Sequence, residues 1–252
     1  MPSACSEVDQ GALESLRTFL AFSNLDSKAR RGCDRGATLY RKNAVIFQEG
    51  HTPFGFFGVC GGLLKLCKAG PRGKLHTVAL VPAGGLVGFP SLLAEEPYSV
   101  TAVAMTPSRI LFFSRHAFLQ AREEEEILMH FAVRLSREIG REREARLSSV
   151  DQPAQTRLAR CLLGLQDTFS IERSGLKLDS IRIPRGEIAD MISVCPETVS
   201  RLLASLKAQG ILKFRGTRIV LQDSARLRAI AYLGESPASC RLSDAIALSV
   251  SL

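Results

Sequence analysis

The chain has 252 residues, of which 46% are hydrophobic, and it carries a formal net charge of +8 with an isoelectric point near 9.4. This length allows one large or two medium globular domains, and the charge favours a polyanionic partner. Seven cysteines at irregular spacing do not form a disulfide framework, and no apolar run approaches the roughly 18 residues of a membrane span. With no apolar leader at the N-terminus, the protein is expected in the cytoplasm.

The excess positive charge is spread evenly along the chain. From Asp151 onward there are 14 Lys and Arg against 10 Asp and Glu, which leaves 19 against 15 before it, so each part carries +4. Net charge alone therefore points only weakly to a nucleic-acid partner, and local motifs have to carry that inference.

Residues 1–36 predict leading helices, and residues 37–122 predict a β-barrel. A first helix is marked by apolar residues at helical spacing, namely Leu13, Leu16, Phe19 and Leu20. A second candidate helix runs from about Leu25 to Cys33. Eight short runs rich in β-branched and aromatic residues then follow: Thr38–Tyr40, Val45–Phe47, Phe56–Val59, Leu63–Leu66, His76–Leu80, Leu86–Gly88, Ser99–Val103 and Arg109–Phe113. Strands at such close spacing predict a small barrel or jelly roll.

A long helix is predicted over residues 123–150, after a short one that Ser114 caps and that ends near Ala121. Residues at alternating spacings of 4 and 3 define a heptad seam, apolar at first and charged in its final turns: Leu128, Ala132, Leu135, Ile139, Glu142 and Arg146. Phe131 flanks this seam. The pattern predicts a coiled-coil contact between two copies of the chain. The alternative is a surface helix packed on its own barrel, which three heptads do not exclude.

Asp151-Gln152-Pro153 predicts a joint, and residues 151–233 a second domain, because proline ends or redirects a helix. A helix from Thr156 to about Asp167 opens this domain. A further helix, Ala225 to Tyr232, closes it, and residues 234–252 are expected to form a loosely held tail.

Two helices joined by a short turn are predicted inside this domain. The first runs from Arg185 to about Ile192, with apolar residues at i, i+3 and i+4. The turn is Ser193-Val194-Cys195, and Pro196 suits the first position of a new helix because it lacks an amide donor. The second helix turns one apolar face inward, formed by Val199, Leu202, Leu203 and Leu206.

Gly210 ends the second helix, since glycine readily takes the left-handed C′ position. Two short strands about a tight turn follow, Ile211–Phe214 and Arg218–Leu221. Two helices, a turn and a hairpin predict a winged helix-turn-helix, a DNA-reading unit. The alternative is an ordinary helical hairpin, which the exposed Glu, Ser and Arg of the second helix and the basic strand pair disfavour.

Three segments of this unit resemble the DNA-binding domain of the CRP/FNR family of bacterial transcription regulators: Arg185-Gly186-Glu187-Ile188-Ala189, Glu197-Thr198-Val199-Ser200-Arg201 and Gly210-Ile211-Leu212. Three segments of the barrel are similar to the family's cyclic-nucleotide-binding-like sensor domain: Phe47-Gln48-Glu49-Gly50, Gly61-Gly62-Leu63-Leu64-Lys65-Leu66 and Pro82-Ala83-Gly84-Gly85. One departure is Ser193, where the family usually carries glycine, so slight strain in the turn is expected.

The resemblance implies an FNR/FixK-like regulator of α+β class. Its parts would be an N-terminal β-barrel or jelly roll, a long dimerisation helix and a C-terminal winged helix-turn-helix. The partners it implies are double-stranded DNA, a second copy of the chain and RNA polymerase, with no membrane.

The second helix of the pair is the predicted recognition helix. Glu197, Ser200 and Arg201 are expected to contact bases, because Arg bonds guanine bidentately and Glu accepts from cytosine. The resemblance implies a TTGAT half-site, repeated as an inverted pair about one helical turn apart. Phosphate contacts are predicted for six side chains of the first helix, the recognition helix and the wing: Arg185, Thr198, Lys207, Lys213, Arg215 and Arg218.

Family members that bind cyclic nucleotides carry a Gly-Glu-Leu segment, whose acid bonds the ribose, and an Arg-Ser pair for the phosphate. The corresponding stretches here are Gly88-Phe89-Pro90-Ser91-Leu92 and Pro97-Tyr98-Ser99, which lack both charged groups. A phosphate would therefore miss its strong charge-assisted hydrogen bonds. We expect a regulator that cyclic AMP does not gate. The alternative that stays open is a regulator gated by a small effector in the barrel: a nucleotide, haem or another ligand.

No cofactor and no enzyme site are expected. An iron–sulfur cluster needs a tight cysteine group, whereas the candidate cysteines are widely spaced: Cys5, Cys33, Cys60 and Cys67. Small buried apolar positions are expected for five cysteines: Cys33, Cys60, Cys67, Cys161 and Cys240. Haem remains an alternative through His51, His76, His116 or His130, although a lone histidine is more often a surface or capping residue. No nucleophile with its base, metal-ligand cluster or phosphate loop is visible.

Cys195 is the cysteine with a predicted function. It lies one residue before Pro196, at the N-terminus of the recognition helix, where the helix dipole and free amides favour a thiolate. Oxidation to a sulfinate or sulfonate would place negative charge beside a DNA phosphate and weaken binding. The alternative is that Cys195 only fills a small position in the turn.

Overall fold

The computed structural model describes residues 14–20, 36–71, 73–121, 124–172 and 180–232. They form two compact units. The first contains the described residues up to 64 together with 81–137, and the second contains residues 65–80 together with the described residues from 138 onward. No helix in the described part of the chain is both long enough and apolar enough to cross a membrane.

All eight predicted strands are present. They are β1 (Thr38–Tyr40), β2 (Val45–Phe47), β3 (Gly55–Gly61), β4 (Leu63–Ala69), β5 (Leu75–Pro82), β6 (Leu86–Val87), β7 (Thr101–Ala104) and β8 (Ser108–Ser114). They lie in two four-stranded sheets of order β1-β8-β3-β6 and β2-β7-β4-β5. The barrel-type fold expected of the N-terminal part is confirmed.

Residues 14–20 are helical (α1) and include apolar positions expected of the first leading helix. Leu16 and Phe19 are fully buried. A Cβ atom at Gly58 would lie 2.7 Å from the Phe19 ring, so the close approach of α1 to β3 requires glycine there. The second leading helix, Leu25 to Cys33, and the tail, 234–252, lie outside the described residues.

Aromatic rings fill the core of the first unit. The Phe56 ring stacks on Phe113 with 4.8 Å between centroids and meets the edge of Phe131 at 5.9 Å. Phe89 stacks on Phe131 at 5.3 Å. Phe89 opens α2 (Phe89–Ala94), a short helix that the sequence analysis did not predict. Each of these four rings is at most 2% exposed, so the core is closely packed around them.

Three helices follow the barrel: α3 (Arg115–Ala121), α4 (Glu125–Asp151) and α5 (Ala154–Glu172). Ser114 caps α3 as predicted, because its Oγ accepts a hydrogen bond from the Ala117 amide at 3.1 Å. α4 is continuous over 27 residues. It ends at the predicted joint, and Pro153 separates it from α5. The inward face of α5 is formed by Leu158, Cys161, Leu162 and Leu165.

The helix-turn-helix and its wing take the predicted form. α6 (Arg185–Met191) and α7 (Pro196–Ala208) precede β10 (Leu212–Arg215) and β11 (Arg218–Leu221). A two-residue strand that the sequence analysis missed, β9 (Ser180–Ile181), pairs with β11 and completes a sheet of order β10-β11-β9. The last described helix is α8 (Ser224–Ala231), and the Asp223 carboxylate caps it by accepting from the Arg226 amide at 2.9 Å.

Candidate nucleic-acid interface

The turn between α6 and α7 contains a left-handed residue, Ser193. Its φ of 53° lies in the region that glycine adopts without steric cost. The Ser193 amide donates to the Asp190 carbonyl at 3.2 Å, and the Val194 amide donates to the Ala189 carbonyl at 3.0 Å. These bonds close the end of α6. The strain expected from serine at this position therefore has a visible backbone cause.

α7 buries one face and exposes its N-terminal end. Three side chains on the inward face are fully buried: Val199, Leu203 and Leu206. Leu202, which was predicted to share that face, is only half-buried. Pro196 occupies the first turn, and Cys195 is the N-cap residue with an extended backbone and no side-chain cap bond. Glu197 lies in the first turn, where an acid complements the helix dipole.

Glu197 and Arg201 are two of the predicted base contacts. They lie one turn apart, and both are exposed. Ser200, the third, is half-buried and bonded within the protein. Its Oγ donates to the Pro196 carbonyl at 2.9 Å and accepts from Arg185 Nη1 at 3.2 Å. Ser200 therefore links Arg185 of α6 to α7, a contact that the sequence did not suggest.

Phe214 brings two of the predicted phosphate-contacting cations together. The Arg185 guanidinium and the Lys207 ammonium each lie 5.8 Å from the centre of the Phe214 ring. These are distances at which an aromatic face attracts a cation. Sequence reasoning missed Phe214 because an aromatic residue in a short strand reads as core. Its position between a basic helix and a basic strand was the available signal.

The wing carries the remaining predicted cations. Arg215 and Arg218 face each other across the β10–β11 pair, about a turn in which Gly216 has φ 58°. Two like charges directly opposite are destabilising by themselves. Lys213 is half-buried in β10, opposite Val220. An anion at the wing tip would relieve the arginine repulsion, which suits a DNA phosphate.

Thr198 and Cys195 lie together at the start of α7. Cys195 Sγ is 3.1 Å from Thr198 Oγ1, which also accepts from Arg201 Nη2 at 3.4 Å. Cys195 is exposed, whereas the other described cysteines, Cys60, Cys67 and Cys161, are buried. The prediction that these three fill small buried positions is confirmed. Cys33 and Cys240, for which the same was predicted, lie outside the described residues.

α4 has an exposed apolar face. Four of its large apolar side chains are between 40% and 59% exposed: Leu128, Met129, Val133 and Ile139. Leu135 of the predicted seam is half-buried and packs against the aromatic core of its own unit, and Ala132 is exposed. The side chains of Glu142 and Arg146 lie outside the described part. The described seam residues are thus open to a partner to different degrees.

Phe131 corrects the predicted set of dimerisation residues. It is 1% exposed and belongs to the aromatic core of its own unit, with Phe56 and Phe89. Ile127, four residues earlier and therefore on the same side of α4, is 2% exposed. This side of the helix covers the barrel core, so the Phe131 side chain does not face a second copy.

Two buried aromatic side chains occupy the barrel positions that the resemblance assigns to the acid and arginine of cyclic-nucleotide binders. Phe89 is 1% exposed and stacks on Phe131. Tyr98 is also 1% exposed, stacks on Phe47 with 4.1 Å between centroids, and donates its hydroxyl to the Gly55 carbonyl at 2.6 Å. Burial raises the pKa of the Tyr98 phenol, which stays neutral. These positions offer a cyclic nucleotide neither a carboxylate nor a guanidinium.

A β-barrel domain, a long helix with an exposed apolar face, and a winged helix-turn-helix with an exposed Glu and Arg define a DNA-binding transcription regulator. Comparison with protein families agrees. Residues 37–125 match the Cyclic nucleotide-binding domain, and residues 156–230 match the Crp-like helix-turn-helix domain.

Known proteins resemble the chain over most of its length. The Cyclic AMP receptor protein of Thermus thermophilus is 29% identical over 196 residues, which cover 77% of this chain and 87% of that protein. The transcriptional activator protein FnrA of Stutzerimonas stutzeri is 28% identical over 204 residues, covering 78% and 80%. A crystal structure of a CRP-family transcriptional regulator, also from Thermus thermophilus, has a TM-score of 0.65 at 26% identity, covering 77% and 96%. The chain belongs to the CRP/FNR family of transcription regulators and is not an enzyme.

Proposed function

We propose that the protein acts as a homodimer that reads a TTGAT-like inverted repeat through α7. The observation that carries this proposal is the exposed pair Glu197 and Arg201, one turn apart on a helix whose opposite face is buried. Arg can bond guanine bidentately and Glu can accept from cytosine N4, so the pair can specify one G·C step.

Selection of binding sites from a random DNA library tests the recognition assignment. The expected result is an inverted repeat of TTGA-like half-sites about one helical turn apart. Recovery of a sequence with no such palindrome would show that Glu197 and Arg201 do not read DNA in the proposed way.

α4 is the proposed dimerisation element. Leu128 and Ile139 are exposed on the predicted seam with Ala132, and pairing two copies would remove their apolar surface from water. Leu135 of the same seam is half-buried against the core of its own unit and would contribute less surface. Phe131 is left out of this set because it is buried in its own unit. Sedimentation equilibrium is expected to show a dimer, and a monomer at all concentrations would exclude this role.

We also propose that cyclic AMP does not gate the protein. One relative is named a cyclic AMP receptor. In this chain, however, buried Phe89 and Tyr98 stand where the acid and arginine of the resembling family stand, and a cyclic phosphate there would have no cationic partner. Titration calorimetry with cyclic AMP is expected to give no binding heat. Saturable binding of cyclic AMP in the barrel would overturn this proposal.

The absence of a resident cofactor is a further proposal. Protein purified without oxygen is expected to show no visible absorption band and no bound iron. An absorbing cofactor would instead support the alternative of a regulator gated by haem or another small effector.

Redox control through Cys195 is proposed from its exposed thiol beside Thr198 at the start of α7. An oxidised sulfur acid at this place would repel a DNA phosphate. Peroxide is therefore expected to weaken DNA binding by the wild type and to leave Cys195→Ala unaffected. Equal loss of binding in both proteins would assign the effect to another group.

RNA polymerase is a proposed partner, supported by a relative that is named a transcriptional activator. We accordingly place the protein in the cytoplasm with its DNA. Transcription in vitro from a promoter that carries the selected site is expected to change when the protein is added. An unchanged transcript level would argue against this partner.

A further inference from the structure

Two acidic side chains of α6 are largely covered by another part of the chain. Glu187 and Asp190 are three residues apart and therefore lie on one side of the helix. Their side chains are only 15% and 19% exposed. The residues that cover them belong to the β4–β5 hairpin, residues 65–80, which lies in the same compact unit as α6.

Three hairpin residues satisfy both carboxylates. Lys65 Nζ donates to Glu187 Oε1 at 2.6 Å, and the Thr77 hydroxyl donates to Glu187 Oε2. His76 Nδ1 donates to Asp190 Oδ1 at 2.9 Å, and the Thr77 amide donates to Asp190 Oδ2 at 3.1 Å. Each of the four carboxylate oxygens thus has a partner on the hairpin. Such charge-assisted bonds are the stronger class of hydrogen bond in proteins.

Lys65 remains a cation in this contact. Burial by itself would lower the pKa of its ammonium group. The hydrogen bond to Glu187 and the charges of Glu187, Cys67 and Asp190 outweigh this effect and raise the pKa above its ordinary value of 10.5. Behind the contact, Cys67 is 1% exposed and its Sγ lies 3.8 Å from Thr77 Oγ1.

The contact leaves the reading surface free. Glu197 and Arg201 of α7 are exposed while Glu187 and Asp190 are engaged. α6 is in turn joined to α7 by the bond from Arg185 to Ser200. The hairpin strands are also strands of a barrel sheet.

We propose that Lys65, His76 and Thr77 are positioning residues for DNA recognition. They hold the acidic side of α6, and α6 sets the place of α7. A change in the barrel sheet reaches the recognition helix through these side chains. If the contact is lost, two carboxylates on α6 lose their partners. Their negative charges then repel the phosphates of a bound DNA. The inference rests on the proposed DNA-reading function of the chain, and it names the contact between the hairpin and α6 as a place where that function is controlled.

The experiment compares Lys65→Ala with Lys74→Ala in the full chain. Both changes remove one lysine charge from the same hairpin, but Lys74 is exposed and its side chain makes none of the contacts with α6 described above. Lys65→Ala is expected to speed amide hydrogen exchange in α6 and to weaken binding to the selected DNA site at least about fivefold, the lower end of coupling between sites. Lys74→Ala is expected to leave α6 exchange unchanged and to weaken binding less.

A charge exchange separates positioning from general destabilisation. Lys65→Glu alone is expected to lose α6 protection and DNA affinity, and Lys65→Glu combined with Glu187→Lys is expected to regain both. The conservative Lys65→Arg is expected to behave as wild type.

Unchanged α6 exchange in Lys65→Ala, or a double variant no better than Lys65→Glu, would overturn the proposal. Failure of the wild type to select any DNA site would instead count against the recognition assignment. Amide hydrogen exchange in α6 would still show whether the hairpin holds this helix.

Discussion

Ser193 holds a left-handed backbone conformation in the turn between the two reading helices, with φ 53°. A non-glycine residue in this conformation costs roughly 1–2 kcal/mol. Replacing it with glycine removes this cost, but part of the gain is offset because glycine loses more chain entropy on folding. Ser193→Gly is therefore expected to raise the free energy of unfolding by about 1 kcal/mol in urea titrations. The control is Ala204→Gly at an exposed position of α7, which should lower the free energy of unfolding by about 1 kcal/mol. A loss of stability in both variants would mean that Ser193 is not strained.

Arg201 is expected to read a base as well as attract the DNA backbone. Arg201→Ala should weaken binding by about 1–3 kcal/mol and relax the sequence preference at one position of each half-site. Arg201→Lys is the matched variant, because it keeps the charge and loses the planar bidentate fork. It should therefore retain the salt dependence of binding and lose the base preference. A site selection with Arg201→Ala that returns the wild-type sequence would make Arg201 a phosphate contact.

The wing should contribute affinity without sequence preference. Changing Lys213 and Arg215 to glutamine together is expected to weaken all DNA sequences alike and to lower the salt slope by about two units per half-site. Because Arg215 faces Arg218, the change should not lower the thermal stability of the free protein. Binding measured over a series of salt concentrations tests this. An unchanged slope would place the wing away from the DNA.

The exposed face of α4 should hold two copies together. Ile139 is 49% exposed, and Ile139→Glu is expected to shift the protein to monomer in analytical ultracentrifugation, since two facing carboxylates would repel. Leu39→Glu on β1, where the leucine is 68% exposed, is the control and should leave the dimer intact. Glu142→Ala should tighten the dimer for the opposite reason. If Ile139→Glu stays dimeric, the interface lies elsewhere.

The sequence predicted the elements better than their contacts. The eight strands were visible because glycine or proline separates most of them, and the reading helices because Pro196 and Gly210 mark their ends. The helix α2 was missed because it has only six residues, too few to show a helical period. Phe131 was placed on the wrong side of α4, because a heptad pattern does not show which side a barrel covers. The bonds from Lys65 to Glu187 join residues 122 apart, which no local pattern can predict.

The protein should lose stability at alkaline pH. Complete burial raises the pKa of the Cys161 thiol from 9.0 to about 12, so the unfolded chain releases this proton first. Stability is therefore present below pH 9.0 and falls as the pH rises toward 12. The raised pKa of Lys65 acts in the same direction above 10.5. Over this pH range the thermal unfolding temperature should fall less steeply in Cys161→Ala than in the wild type. An equal slope in both proteins would assign the loss to other groups.

The second compact unit is assembled from two separate stretches of chain, the described residues of 65–80 and those from 138 onward. Thr77 and Glu187, which bond to each other, are 110 residues apart. At a synthesis rate of about 5–20 residues per second, the hairpin leaves the ribosome roughly 6–20 s before α6 does. The hairpin has to wait in water for that time with its α6 partners not yet made. A nascent chain therefore cannot complete this unit, or take its DNA-reading form, until most of the protein has been synthesised.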